Sequence, residues 1–132
     1  MQKTRGIISN RDRARQIRNY KGLRYGNITP TDIDGLIEYK NKGYIIIELK
    51  YEAAELPLGQ QLALERLTDD LERSGKSTIC IVASHQEIDC NKDIDVANTF
   101  VSNYRLKGNW YTPNIQLTTK QLIEKYLMTL PQ

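Results

Sequence analysis

The stretch Thr31-Asp32-Ile33-Asp34-Gly35-Leu36-Ile37-Glu38-Tyr39-Lys40-Asn41-Lys42-Gly43-Tyr44-Ile45-Ile46-Ile47-Glu48-Leu49-Lys50 decides how this chain is read. Both arms are rich in β-branched and aromatic residues, and Asn41-Lys42-Gly43 fits a tight turn, so the stretch predicts a β-hairpin. If Lys40 pairs with Gly43 or Tyr44, partner numbers sum to 83 or 84, which sets Asp34 opposite Leu49 or Lys50. Alternation along the second arm puts Glu48 and Lys50 on one face and Leu49 on the other. Two carboxylates and one amine therefore converge at the open end of the hairpin. Oxygen ligands in that arrangement suit a hard divalent cation.

Working outward, Ser9 or Asn10 can cap a helix through residues 11–20, with Arg11, Arg15 and Arg18 on one face. Gly22, Gly26 and Pro30 interrupt the chain before the hairpin, although a further short strand near Ile28 fits the pattern. Beyond Lys50, a connection over 51–56 ends at Pro57, and a helix is expected from Leu58 to Ser74. Leu64, Leu67 and Leu71 share a face with Gln60 there, and Gly75 ends the helix. Residues 78–83 read as a short buried strand, central in a mixed sheet. His85 to Asp95 reads as a polar loop, residues 96–106 as one strand, and residues 108–113 as a turn in which Trp110 covers the core edge. Thr118-Thr119-Lys120-Gln121 matches a capping box opening a last helix to about Met128. The expected order is α-β-β-α-β-β-α.

Length and composition bound the function. At 132 residues the chain is expected to form one α/β domain, residues 1–132, with no repeat or dividing linker. No run approaches the roughly 20 apolar residues of a membrane span, and no signal-peptide pattern follows Met1-Gln2-Lys3-Thr4-Arg5. Cys80 and Cys90 lack metal-type spacing and read as free thiols of a reducing cytosol. Charge is uneven: residues 1–29 carry eight basic residues and one acid, a net of +7, while the remainder carries −4. A basic segment beside a carboxylate pair points to phosphate binding by Arg11, Arg15, Arg18, Lys21 and Arg24.

The set Pro30-Thr31-Asp32-Ile33-Asp34, hairpin, Glu48-Leu49-Lys50 and Gln-bearing helix resembles the PD-(D/E)xK nuclease superfamily over about residues 10–85. The resemblance implies a restriction-endonuclease-like core, a mixed central β-sheet flanked by helices. It implies Asp34, Glu48, Lys50 and Gln60 as catalytic residues, with Asp34, Glu48 and the carbonyl of Leu49 holding Mg²⁺, for which Mn²⁺ can substitute. The family's Pro-Asp pair is replaced here by Pro30-Thr31-Asp32, so Asp32 competes with Asp34 for the first acid; hairpin pairing favours Asp34. Gln61, about 100° further around the helix, is the alternative to Gln60. The implied activity is DNA endonuclease cleavage by metal-activated water, on duplex or branched DNA, as in phage nucleases and Holliday junction resolvases. A homodimer would suit two-strand cutting, and the expected setting is a bacterial or phage-infected host cytosol.

Other chemistries are weaker. His85, the sole histidine, has no nucleophile pattern near it, Ser77 and Ser84 lack a nucleophile elbow, and no glycine cluster forms a phosphate loop. Two rival functions remain at this level. One is a nucleic-acid-binding protein of the same fold without activity, and the other is a protein-interaction module whose hairpin charges are ordinary surface.

Overall fold

A computed structural model describes residues 5–52 and 54–132; Lys3 of the basic segment and Ala53 of the 51–56 connection lie outside the described residues. Contacts divide the chain at Pro30, where the basic segment ends, into Met1–Pro30 and Thr31–Gln132.

In the first unit, helix α1 spans only Arg11–Ala14. Asn10 caps it, its side-chain oxygen accepting from the Arg13 amide at 3.0 Å. The expected helix to Tyr20 is not formed, so Arg11, Arg15 and Arg18 do not share a helical face. The cause is local. Ile17 is 96% exposed and so adds no buried stripe, and clustered arginines repel along a helix surface. Near Ile28 there is one isolated bridge, Tyr25 with Ile28, rather than a strand.

The second unit is an α/β body. Strands β1 (Gly35–Tyr39), β2 (Gly43–Tyr51), β3 (Ser77–His85), β4 (Phe100–Leu106) and β5 (Asn109–Tyr111) form one mixed sheet in sequential order. β2 and β3 are parallel and joined through helix α2 (Leu58–Arg73); the remaining pairs are antiparallel. Helix α3 is Thr119–Leu127 and carries the expected capping box between Thr118 and Gln121. Ile45, Ile47, Ile79, Ile81 and Ala83 meet Leu122, Tyr126 and Leu130 in one core cluster. Ile46 and Cys80, facing the other way, meet Leu64 of α2. A strand buried on both faces explains the continuous apolar runs 45–47 and 79–83.

The hairpin register differs from expectation. Tyr39 pairs with Gly43 and Gly35 with Ile47, so partner numbers sum to 82. The turn begins earlier than its composition suggests: Lys40 and Asn41 both take positive φ, 51° and 60°, and the Lys42 amide donates to the Tyr39 carbonyl at 2.8 Å. Gly43 belongs to the strand instead. A Cβ there would lie 2.8 Å from the Ser77 carbonyl oxygen and 2.9 Å from the Tyr126 hydroxyl, so the strand start admits no side chain. Further departures follow the same logic. Leu67 is 38% exposed, and Thr68 is buried in its place because its hydroxyl donates to the Leu64 carbonyl at 2.7 Å. Residues 96–98 form a 3₁₀ turn before β4. The Lys107-Gly108 pair, with φ of 51° and 83°, makes a two-residue hairpin that turns the expected 108–113 loop into β5.

Candidate functional site

Glu48 lies on the interior strand β2 and is only 4% exposed. Its strand partners and the helix above explain how so polar a residue is tolerated. Leu58 opens α2 immediately after Pro57, which places Gln60 in the first turn over β2. The Gln60 amide donates to Glu48 Oε1 at 2.8 Å, and its carbonyl oxygen accepts from Lys50 Nζ at 3.1 Å. Lys50 Nζ also lies 3.3 Å from Glu48 Oε1. Glu48 and Lys50 are two residues apart and project to the same face, as alternation requires.

The first acid comes from the other arm. With the register at 82, continuing the ladder by one step brings Asp34 level with Glu48, not with Leu49 or Lys50. Asp34 Oδ2 accepts from the Leu49 amide at 2.7 Å, so its carboxylate is held against β2. Asp32 is exposed. That contact uses the Leu49 N–H and is separate from the metal-ligand role expected of the Leu49 carbonyl. Gln61, the alternative to Gln60, turns away and donates to Glu65 Oε1 at 3.1 Å.

Burial pushes the Glu48 carboxyl above its ordinary range, and the charge of Asp34 pushes it further; Lys50 and Gln60 oppose both. Glu48 Oε2 is buried and has no hydrogen-bond partner among the described residues. A buried carboxylate oxygen without a donor is costly and calls for a ligand that supplies positive charge. A hard divalent cation fits that need. Among the described residues no set of three or more His, Cys, Asp or Glu side chains gathers as a metal site. The remaining ligands would have to be backbone, water or substrate oxygens, which is how Mg²⁺ is commonly held.

α2 is fastened to the sheet just beyond Gln60 by Trp110 and by three side chains the sequence did not single out, Glu65, Asp69 and Arg105. Arg105 makes a two-pronged pair with Asp69, at 2.9 and 2.7 Å, and lies 5.7 Å from the Trp110 ring centre. The Trp110 indole donates to Glu65 Oε1 at 2.7 Å. Trp110 thus covers the Ile46–Leu64–Cys80 cluster, as expected. Glu65, Asp69 and Arg105 carried no local signal, because their partners lie 45 and 36 residues away.

His85 ends β3 opposite Tyr51, with ring centres 5.6 Å apart and edge to face. Cys80 is buried, and burial pushes its thiol up to about 12; Cys90 is exposed, and both are free. Among the described residues no helix is long and apolar enough to cross a membrane. Comparison with protein-family models, with curated proteins and with solved structures returns no match to this chain.

Proposed function

We propose that the chain is a Mg²⁺-dependent DNA endonuclease with a restriction-endonuclease-like core, hydrolysing phosphodiester bonds at Asp34, Glu48, Lys50 and Gln60. The observation that carries this reading is the buried Glu48, with one oxygen shared by Lys50 and Gln60 and the other lacking a donor. When bound, Mg²⁺ or Mn²⁺ supplies neutralisation of phosphate charge and acidification of water. Asp34 and Glu48 would hold the ion, with the Leu49 carbonyl as a further oxygen. Lys50 supplies a cationic donor where charge grows on the phosphoryl oxygens, or takes the proton of the attacking water. Gln60 fixes the spacing of Glu48 and Lys50 without adding charge. The basic residues of the first unit, Arg11, Arg15, Arg18, Lys21 and Arg24, would bind backbone phosphates.

The test is cleavage of supercoiled plasmid and branched DNA with Mg²⁺ or Mn²⁺. Cutting that vanishes in Asp34→Ala and in Glu48→Ala, while DNA binding persists, is the expected outcome. Either variant cutting at near the wild-type rate would remove the site assignment. Binding without cutting, on every substrate and with either ion, would favour the inactive nucleic-acid-binding reading.

A further inference from the structure

How many ions the candidate site takes follows from how its oxygens are already engaged. Glu48 Oε1 meets two donors, the Gln60 amide at 2.8 Å and Lys50 Nζ at 3.3 Å. Glu48 Oε2 is buried and meets none among the described residues. Asp34 Oδ2 accepts from the Leu49 amide at 2.7 Å, which leaves the second oxygen of that carboxylate. Each acid thus has one oxygen held by the protein and one to offer an ion.

Lys50 stands in a position of a particular kind. Its Nζ meets a carboxylate oxygen of Glu48 at 3.3 Å and the side-chain carbonyl oxygen of Gln60 at 3.1 Å, largely withdrawn from solvent. Carboxylate and amide carbonyl oxygens are the ligands that a hard divalent cation takes. The ammonium therefore fills a place where those two oxygens would otherwise receive a second ion.

Charge points the same way. Asp34, Glu48 and Lys50 together carry one net negative charge. One divalent ion turns that into one net positive charge, which a single phosphodiester anion cancels. A second divalent ion would leave two positive charges uncompensated beside the buried Glu48, where such charge is costly. Two-ion sites set their ions roughly 3.5–4 Å apart. Offsetting that repulsion takes more carboxylates than the two gathered among the described residues.

We propose that this site takes a single divalent ion, on Glu48 Oε2 and Asp34, with the Lys50 ammonium as a built-in second cation at Glu48 Oε1. The proposal rests on the phosphodiester reading of the site and adds its ion count and the place of Lys50. Gln60 keeps the ammonium there, accepting from it while donating to the same Glu48 oxygen. The protein itself then supplies one of the two cations that a two-ion site draws from solution.

Mn²⁺ bound to the full chain, without nucleic acid, can be counted by electron paramagnetic resonance. The wild type should bind one ion saturably, and its frozen spectrum should show no coupling between manganese ions. Glu48→Ala should lose that ion. Lys50→Glu, which exchanges the ammonium for a third carboxylate, should bind two ions and give a coupled spectrum. Two coupled ions on the wild type, or none, would overturn the proposal. A folded Lys50→Glu chain holding a single ion would overturn it too, and the wild-type count stands even where that variant does not fold. One bound ion without cleavage of plasmid or branched DNA would sink the nuclease reading and leave the ion count standing. Cleavage with two coupled ions would do the reverse.

Discussion

The side-chain amide of Gln60 donates to Glu48 Oε1 at 2.8 Å, joining the first turn of α2 to the interior strand β2. The same residue accepts from Lys50, so one neutral side chain sets the spacing of an acid and an amine. Gln60→Ala should lower the cleavage rate roughly 10–100-fold, the range typical of groups that orient a ligand. Single-turnover kinetics on a saturating substrate measures it; an unchanged rate would make Gln60 a helix-start residue only.

The donorless Glu48 Oε2 predicts ion-dependent stability. Mg²⁺ or Mn²⁺ should raise the thermal midpoint of the wild type in a concentration-dependent way, since a ligand of the folded state alone stabilises it by mass action. Asp34→Ala and Glu48→Ala should show little or no rise. Differential scanning fluorimetry with and without chelator decides the matter before any substrate is known.

Ionised Glu48 is also a liability of the fold without an ion. Its folded pKa is raised, so its contribution to stability is full below the ordinary carboxylate value and is lost as pH rises through the raised one. Glu48→Gln should therefore raise the thermal midpoint at neutral pH. That gain should shrink as pH falls through the raised value and be gone below the ordinary carboxylate value, where wild-type Glu48 is protonated in both states. Thermal midpoints across pH would show a constant difference if Glu48 were not the group responsible.

The Arg105–Asp69 pair behaves in the opposite sense. Its hydrogen bonds hold the Asp69 carboxyl below its ordinary value, so the stability it contributes is present above that value and is lost as pH falls through the folded one. Asp69→Asn should cost about 1–3 kcal/mol near neutral pH and flatten the acid limb of the stability profile. Urea unfolding at neutral and acid pH measures both effects.

If the first unit contacts phosphates, Arg15→Ala with Arg18→Ala should weaken DNA binding on every sequence alike. The slope of log affinity against log salt should fall by about 1 for each phosphate contact removed. Fluorescence anisotropy at several salt concentrations reads that slope, and an unaltered slope would exclude these two arginines from the contact.

Much of this site was legible because its signals are local. The alternation in Ile45–Lys50 places Glu48 and Lys50 together whatever the turn does, and Pro57 with Gly75 brackets a helix that must cross back from β2 to β3. The register was not legible. Composition placed the turn at Asn41-Lys42-Gly43, yet Gly43 is required in the strand by Ser77 and Tyr126, which are 34 and 83 residues away in sequence. Lys40 then takes a positive φ that its side chain does not favour. Likewise, no residue of the short α1 is buried, which helix spacing alone does not reveal. The pairs that fasten α2 to β4 and β5 join residues too far apart for any pattern to show.

Gly43 and Asp34 stand at opposite ends of one ruler. The five steps from Gly43 to Glu48 span about 16 Å of strand, yet the close approach at Gly43 decides which residue of the first arm comes level with Glu48. A population of random variants screened for lost function should thus return position 43 as readily as the acids themselves. Its members would have every charged group intact and the two halves of the site out of step.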